Sequence, residues 1–231
     1  MTKIIRLLAL NLTAALYLGC AVNQPCTVKM EQSPEVRGFR LGMSMADIQK
    51  RFPGFPDVAA NQFGVATVKI SSVYVRNVLD KPIGEDVVSF VSAAPFPDLN
   101  ELKHVELKLL DGHLREITVF YPNDIKWKSA DEFVQKTGAA LKLNGSWQKV
   151  GNDSDYSETR SLRCGEVLKG FTVNAGFRQP TLENPNLEKT KLPYVRLEDF
   201  MQGEMEIYKR KKQREEKTKQ EDEQRKQTFK P

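Results

Sequence analysis

The sequence predicts an α+β fold, an antiparallel sheet of about five to six strands with two helices packed on it, followed by a charged tail that is helical or disordered. Three observations carry this. β-Branched, alternating runs occur at 65–75, 86–93 and 104–121. Ser44 and Ser129 each precede a short stretch with apolar residues at helical spacing. The composition, 40% hydrophobic and 28% charged over 231 residues, suits a chain that buries a full core. The expected organisation is a signal segment over 1–21, one domain over 22–200 and a charged tail over 201–231.

The chain opens on MTKIIR, with Lys3 and Arg6, and continues as LLALNLTAALYLG, about a dozen mostly apolar residues ending in small ones. That is the build of a secretory signal. A membrane-spanning helix needs roughly 20 apolar residues, and polar Asn23 and Gln24 arrive too soon. Two processing routes stay open. Leu18-Gly19-Cys20 resembles the end of a bacterial lipobox, which implies an acylated Cys20 as the new N-terminus. Cleavage after Ala21 instead satisfies the small-x-small preference through Gly19 and Ala21. Both routes export the chain to the periplasm or cell envelope, and the first anchors it by lipid.

Export bears on the cysteines. There are three, Cys20, Cys26 and Cys164, an odd number for an oxidising compartment. Loss or acylation of Cys20 leaves two, and a Cys26–Cys164 disulfide is expected.

The first helix follows Ser44, a suitable N-cap, with Asp47 in the first turn and Met45, Ile48 and Phe52 on one face; Pro53 and Gly54 stop it. LGMSMADIQKRF, 41–52, resembles the Leu-Gly-Met-Thr/Ser start and capped helix of the BamE-type (SmpA/OmlA) small envelope lipoproteins. The resemblance implies helices packed on an antiparallel sheet, an envelope location, and a structural role for the Leu-Gly-Met in docking the helix start on the sheet.

Strands follow at 65–75 and 86–93, separated by turn residues at 80–84. In HVELKLLDGHLREITVFYP, Val105, Leu107 and Leu109 alternate with polar residues. Asp111-Gly112 turns the chain, and Ile117, Val119 and Tyr121 alternate on the return, which makes a hairpin. KSADEFVQKTGAALKL opens a second helix with a Ser129–Glu132 capping box and presents Phe133, Val134, Thr137 and Leu141 inward; Gly138 weakens it. A strand pair at 159–164 and 170–177 completes a second helix-then-strands run, which raises the expectation of a duplicated unit.

The formal charge of +5 sits at the ends. Residues 1–21 carry +2 and residues 207–231 carry +5, which leaves −2 over 22–206. A near-neutral body does not predict nucleic-acid binding. The tail block Lys209, Arg210, Lys211, Lys212 and Arg214 suits peripheral contact with anionic lipid. Metal-protease, nucleophile-elbow, phosphate-loop and dinucleotide motifs are absent from the sequence, and no catalytic, cofactor or metal residue is assigned. The two histidines, His104 and His113, flank the hairpin and are expected in structural or surface positions. The expected function is non-enzymatic binding of a protein or envelope polymer through the sheet surface; the alternative is an exported enzyme with an unrecognised site.

Overall fold

The structure is a computed structural model that describes residues 25–71, 87–154, 157–166, 169–179 and 191–228. The signal segment, Cys20 and the turn expected at 80–84 lie outside these residues. In chain order the strands are β1 (Val65–Ser71), β2 (Val88–Ser92), β3 (His104–Leu110), β4 (His113–Phe120), β5 (Gln148–Lys149), β6 (Ser157–Cys164), β7 (Phe171–Arg178) and β8 (Leu192–Glu198). The α-helices are α1 (Met45–Arg51), α2 (Pro97–Asn100), α3 (Ala130–Ala140) and α4 (Phe200–Thr228).

All eight strands join one sheet in the order β2-β1-β3-β4-β8-β7-β6-β5. This corrects the expected antiparallel sheet of five to six strands with two helices. The sheet is mixed, because β2 runs parallel to β1. A parallel neighbour needs a crossover of a dozen or more residues, and the stretch between Ser71 and Val88 is long enough to supply one. Two strands are not foreseen from the sequence, the two-residue β5 at the sheet edge and β8, and it is β8 that inserts between β4 and β7. It thereby fuses the strands of the two chain halves into one sheet.

One face of the sheet is the core. Val68, Val105, Leu107, Ile117, Val119, Val173 and Leu197, fully or almost fully buried, point to one side and pack with Ile48 of α1, Leu99 of α2 and Phe133 and Val134 of α3. Helix α1 begins as its sequence requires. Ser44 Oγ accepts the Asp47 amide at 3.1 Å and Asp47 Oδ2 accepts the Ser44 amide at 2.9 Å, a complete capping box. Leu41-Gly42-Met43 docks on the start of β4: Gly42 N donates to Leu114 O at 2.7 Å and Leu114 N to Met43 O at 2.8 Å. Ser129 caps α3 through the Glu132 amide, while the Glu132 carboxylate reaches back to the Lys128 amide at 2.7 Å. Gly138 is a packing position, since a Cβ there would lie 3.2 Å from the Trp147 indole nitrogen.

Helix α4 resolves the tail as a helix of 29 residues, about 43 Å long at 1.5 Å per residue. Its early turns lie on the body. Ile207 packs on Phe63, Val65 and Leu110. Arg210 grips Asp111 through two hydrogen bonds, at 2.8 and 2.6 Å, and donates to Phe63 O at 2.8 Å. From Glu215 to Thr228 the helix is exposed throughout, with a Lys217–Glu221 pair at i, i+4 spacing.

Candidate functional site

The second face of the sheet is largely polar, with Phe120 and Tyr194 buried in a small apolar cluster on it, and strand register sorts its side chains into rows. Successive residues of a strand alternate between faces, so directly paired residues share a row. The middle row runs Phe90, Lys69, Glu106, Thr118, Arg196, Asn174 and Ser161 across β2 to β6. One pleat away, Thr67, Lys108, Glu116, Glu198, Thr172 and Arg163 form a second row. On the other side lie Ser71, His104, Phe120, Tyr194, Gly176 and Thr159.

Ion pairs and hydrogen bonds link these rows. Arg196 Nη2 donates to Glu116 Oε2 at 3.1 Å and lies 2.6 Å from Glu198 Oε2. Asn174 Nδ2 donates to Glu198 Oε1 at 2.8 Å. Burial pushes the Glu198 carboxyl above its usual range, and the nearby Glu116 charge adds to this while Arg196 opposes it. In the middle of the face, burial would raise Glu106, but its hydrogen bond with His104 and the charges of His104, Lys69 and Arg178 hold it below the usual carboxylate range. His104, expected in a structural or surface position, is 6% exposed, with Nε2 2.9 Å from Glu106 Oε1. His113 is exposed and bonds the Asp111 carbonyl.

In the row that runs from Ser71 to Thr159, Gly176 is held by close packing against the neighbouring backbone. It sits at φ +148°, and a Cβ there would meet Glu158 O at 1.9 Å. In the same row the Tyr194 hydroxyl and Thr159 Oγ1 are 2.8 Å apart. Burial raises the Tyr194 phenol above its ordinary value.

Where α4 leaves the sheet, a cavity of about 30 Å³ separates the helix from the polar face, lined by Lys108, Glu116, Arg196, Asp199, Gly203 and Ile207 among others. Arg115 Nη1 donates to the buried Asp199 at 2.7 Å, whereas Arg115 Nε, Arg196 Nε and Asp199 Oδ1 have no hydrogen-bond partner among the described residues. Two donors and one acceptor around a space of this size fit an ordered water. Among the described residues no cluster of three or more His, Cys, Asp or Glu has metal-site geometry.

Cys26 and Cys164 form a disulfide, with Cα atoms 4.5 Å apart and both residues buried. The link fixes Cys26 at the finishing end of β6, where Gly165 N also donates to Cys26 O at 3.0 Å. Of the basic block on α4, Lys209, Lys211, Lys212 and Arg214 are exposed. Lys211 and Arg214 also lie over the Phe63 ring, at 5.4 and 5.9 Å from its centroid. Arg210 is turned inward to Asp111 and Glu206. No helix of the described residues is long and apolar enough to cross a membrane.

Sequence reasoning missed Arg196, Glu198 and Asn174 as a linked group. Their polar positions in alternating strands were visible, but Arg196 and its partner Glu116, 80 residues apart, meet only through the order of the sheet. Comparison with family models, curated proteins and solved structures finds no match to this chain.

Proposed function

We propose that the chain is an exported cell-envelope protein that acts by binding a protein or an envelope polymer on the polar face of its sheet. The observation that carries this is the face itself, where the two rows nearer α4 set Lys69, Lys108, Arg163 and Arg196 among Glu106, Glu116 and Glu198 on rigid, hydrogen-bonded strands. Such a surface presents fixed donors and acceptors at strand spacing, suited to an extended polar partner. Export draws support from the signal-like N-terminus, with Cys20 as its lipobox-like acylation site or Ala21 as its cleavage site, and from the buried disulfide, which suits an oxidising compartment. On α4, Lys209, Lys211, Lys212 and Arg214 supply a peripheral contact to anionic lipid.

Charge reversal tests the face. Lys69→Glu with Arg163→Glu is expected to weaken binding to isolated envelope fractions at least tenfold, while Lys136→Glu on the outer side of α3 leaves it unchanged. Equal effects from both changes would overturn the assignment. A second reading, an exported enzyme, takes its support from His104 held against Glu106 on the same face. It predicts that His104→Gln abolishes turnover of an envelope substrate while leaving binding intact.

A further inference from the structure

The ends of the sheet are not equivalent. Strands β1, β4 and β7 start, and β3, β6 and β8 finish, at one end. That end therefore holds the Asp111-Gly112 turn, the Cys26–Cys164 link and the first turns of α4. The opposite end holds Ser71, Phe120 and the 122–128 connection to α3. Two features that suit a bilayer, one at each extreme of the chain, meet at the first end.

The N-terminal feature is positional. Cys26 is fixed there, and six residue steps separate it from Cys20, a reach of about 20 Å when fully extended. Any acyl group or apolar segment joined at Cys20 is thus held near this end. The C-terminal feature is electrostatic. Helix α4 crosses from β8 towards β3 and β1, docking Glu204 on Lys108 and Arg210 on Asp111, and so sets Lys209, Lys211, Lys212 and Arg214 beside the turn. The cysteine link lies on β6, four strand spacings from β3, or about 20 Å across the same end. Exposed Lys29, Arg163 and Lys169 lie near it, interspersed with Glu31 and Glu166. The helix supplies most of the positive charge, and the cysteine end supplies a second point of support.

We infer that this end of the sheet sits on an anionic lipid bilayer, with the 122–128 end directed away from it. The envelope reading supplies the biological setting, but the surface can be tested apart from export. Stable attachment ordinarily takes two signals, one apolar and one basic; the basic one lies at this end, and an acyl group on Cys20 would add the apolar one on the same side of the domain. It also leaves the polar face standing roughly perpendicular to the bilayer.

The test uses the chain from Val22 to Pro231, which contains every described residue. Vesicles of phosphatidylglycerol with phosphatidylcholine are expected to sediment it at low salt, and vesicles of phosphatidylcholine alone are not. Lys209→Gln with Lys212→Gln, which spares the Arg210 and Phe63 contacts, should weaken partition roughly 25-fold, about fivefold per charge. Lys126→Gln with Lys128→Gln at the far end should leave it unchanged. Orientation is read by energy transfer to an acceptor lipid from a dye on His113→Cys or Asn123→Cys, positions separated along the strands by at least about 24 Å. Strong transfer from position 113 and weak transfer from 123 is the expected result. Equal transfer, equal loss from both lysine pairs, no vesicle binding, or tighter binding to a soluble anionic polymer than to vesicles would each overturn the inference. A reporter fusion that stays in the cytoplasm would overturn export alone and leave the vesicle result standing.

Discussion

Replacing Cys26 and Cys164 together by serine removes a covalent closure spanning 138 residues. In the chain-entropy description a loop of that length restricts the unfolded ensemble by about 5 kcal/mol at 25 °C. Domains are stable by only about 5–15 kcal/mol, so the loss is a large share of the whole. At roughly 2–4 °C per kcal/mol for a domain of this size, the melting temperature should fall by about 10–20 °C. Urea unfolding of the oxidised protein and the double-serine variant measures the difference directly, with near-ultraviolet circular dichroism to show that the native packing is kept. The loss should also be local in its first expression. Residues 26–33 are held at the edge of β6 by the link and the Gly165–Cys26 backbone bond, so their amides should exchange before those of the sheet. A stability change below about 1 kcal/mol would refute the reasoning, because a closure of this length cannot be so small a constraint unless the two ends already meet in the unfolded chain.

Other perturbations test the fold at separate points. Ser44→Ala removes the acceptor for the Asp47 amide and is expected to cost about 1 kcal/mol, measured by urea unfolding; a neutral result would mean the capping box does not hold α1. Gly176→Ala forces a Cβ onto Glu158 O and should cost about 1–3 kcal/mol; where the shift breaks the Tyr194–Thr159 bond, which lowers the phenol against the burial that raises it, the tyrosine titration should move further upward. Asp111 is held below its ordinary value near 3.8 by the Arg210 hydrogen bonds, aided by the Arg210 charge, although burial opposes them. A depressed carboxylate pKa means its support for α4 is complete above the ordinary range and is lost as pH falls through the lower folded value. Amides of 204–212 should therefore lose exchange protection in acid, and Asp111→Asn should remove it at neutral pH; unchanged protection in both would count against this clasp.

What the sequence made legible was local. The Asp111-Gly112 hairpin, the capped starts of α1 and α3 and the positions of β6 and β7 follow from short-range rules that later packing did not override. What it left hidden was set by distant partners. Strand β8 carries Pro193 as its second residue and is buried along nearly its whole length, so it shows no alternation. The Pro193 carbonyl still accepts the Tyr121 amide, and the strand completes the sheet between β4 and β7. The parallel β1–β2 pair was hidden because β-branched runs mark strands without fixing their direction. Helix α2 is four residues, too short for any periodicity, and is pinned by Leu99 alone among its side chains. For His104 the sequence left structural and surface positions both open, and its place between Ser71 and Phe120 in a cross-strand row buries it. The same principle covers the polar face, whose single residues were readable and whose rows were not.

Export is the claim on which the envelope function rests, and intact-mass analysis of the protein recovered from fractionated cells tests it most directly. Export predicts a chain in the envelope fraction that begins at an acylated Cys20 or at Val22, with Cys26 and Cys164 oxidised to each other. A cytoplasmic chain that begins at Met1 and carries three free thiols would contradict it.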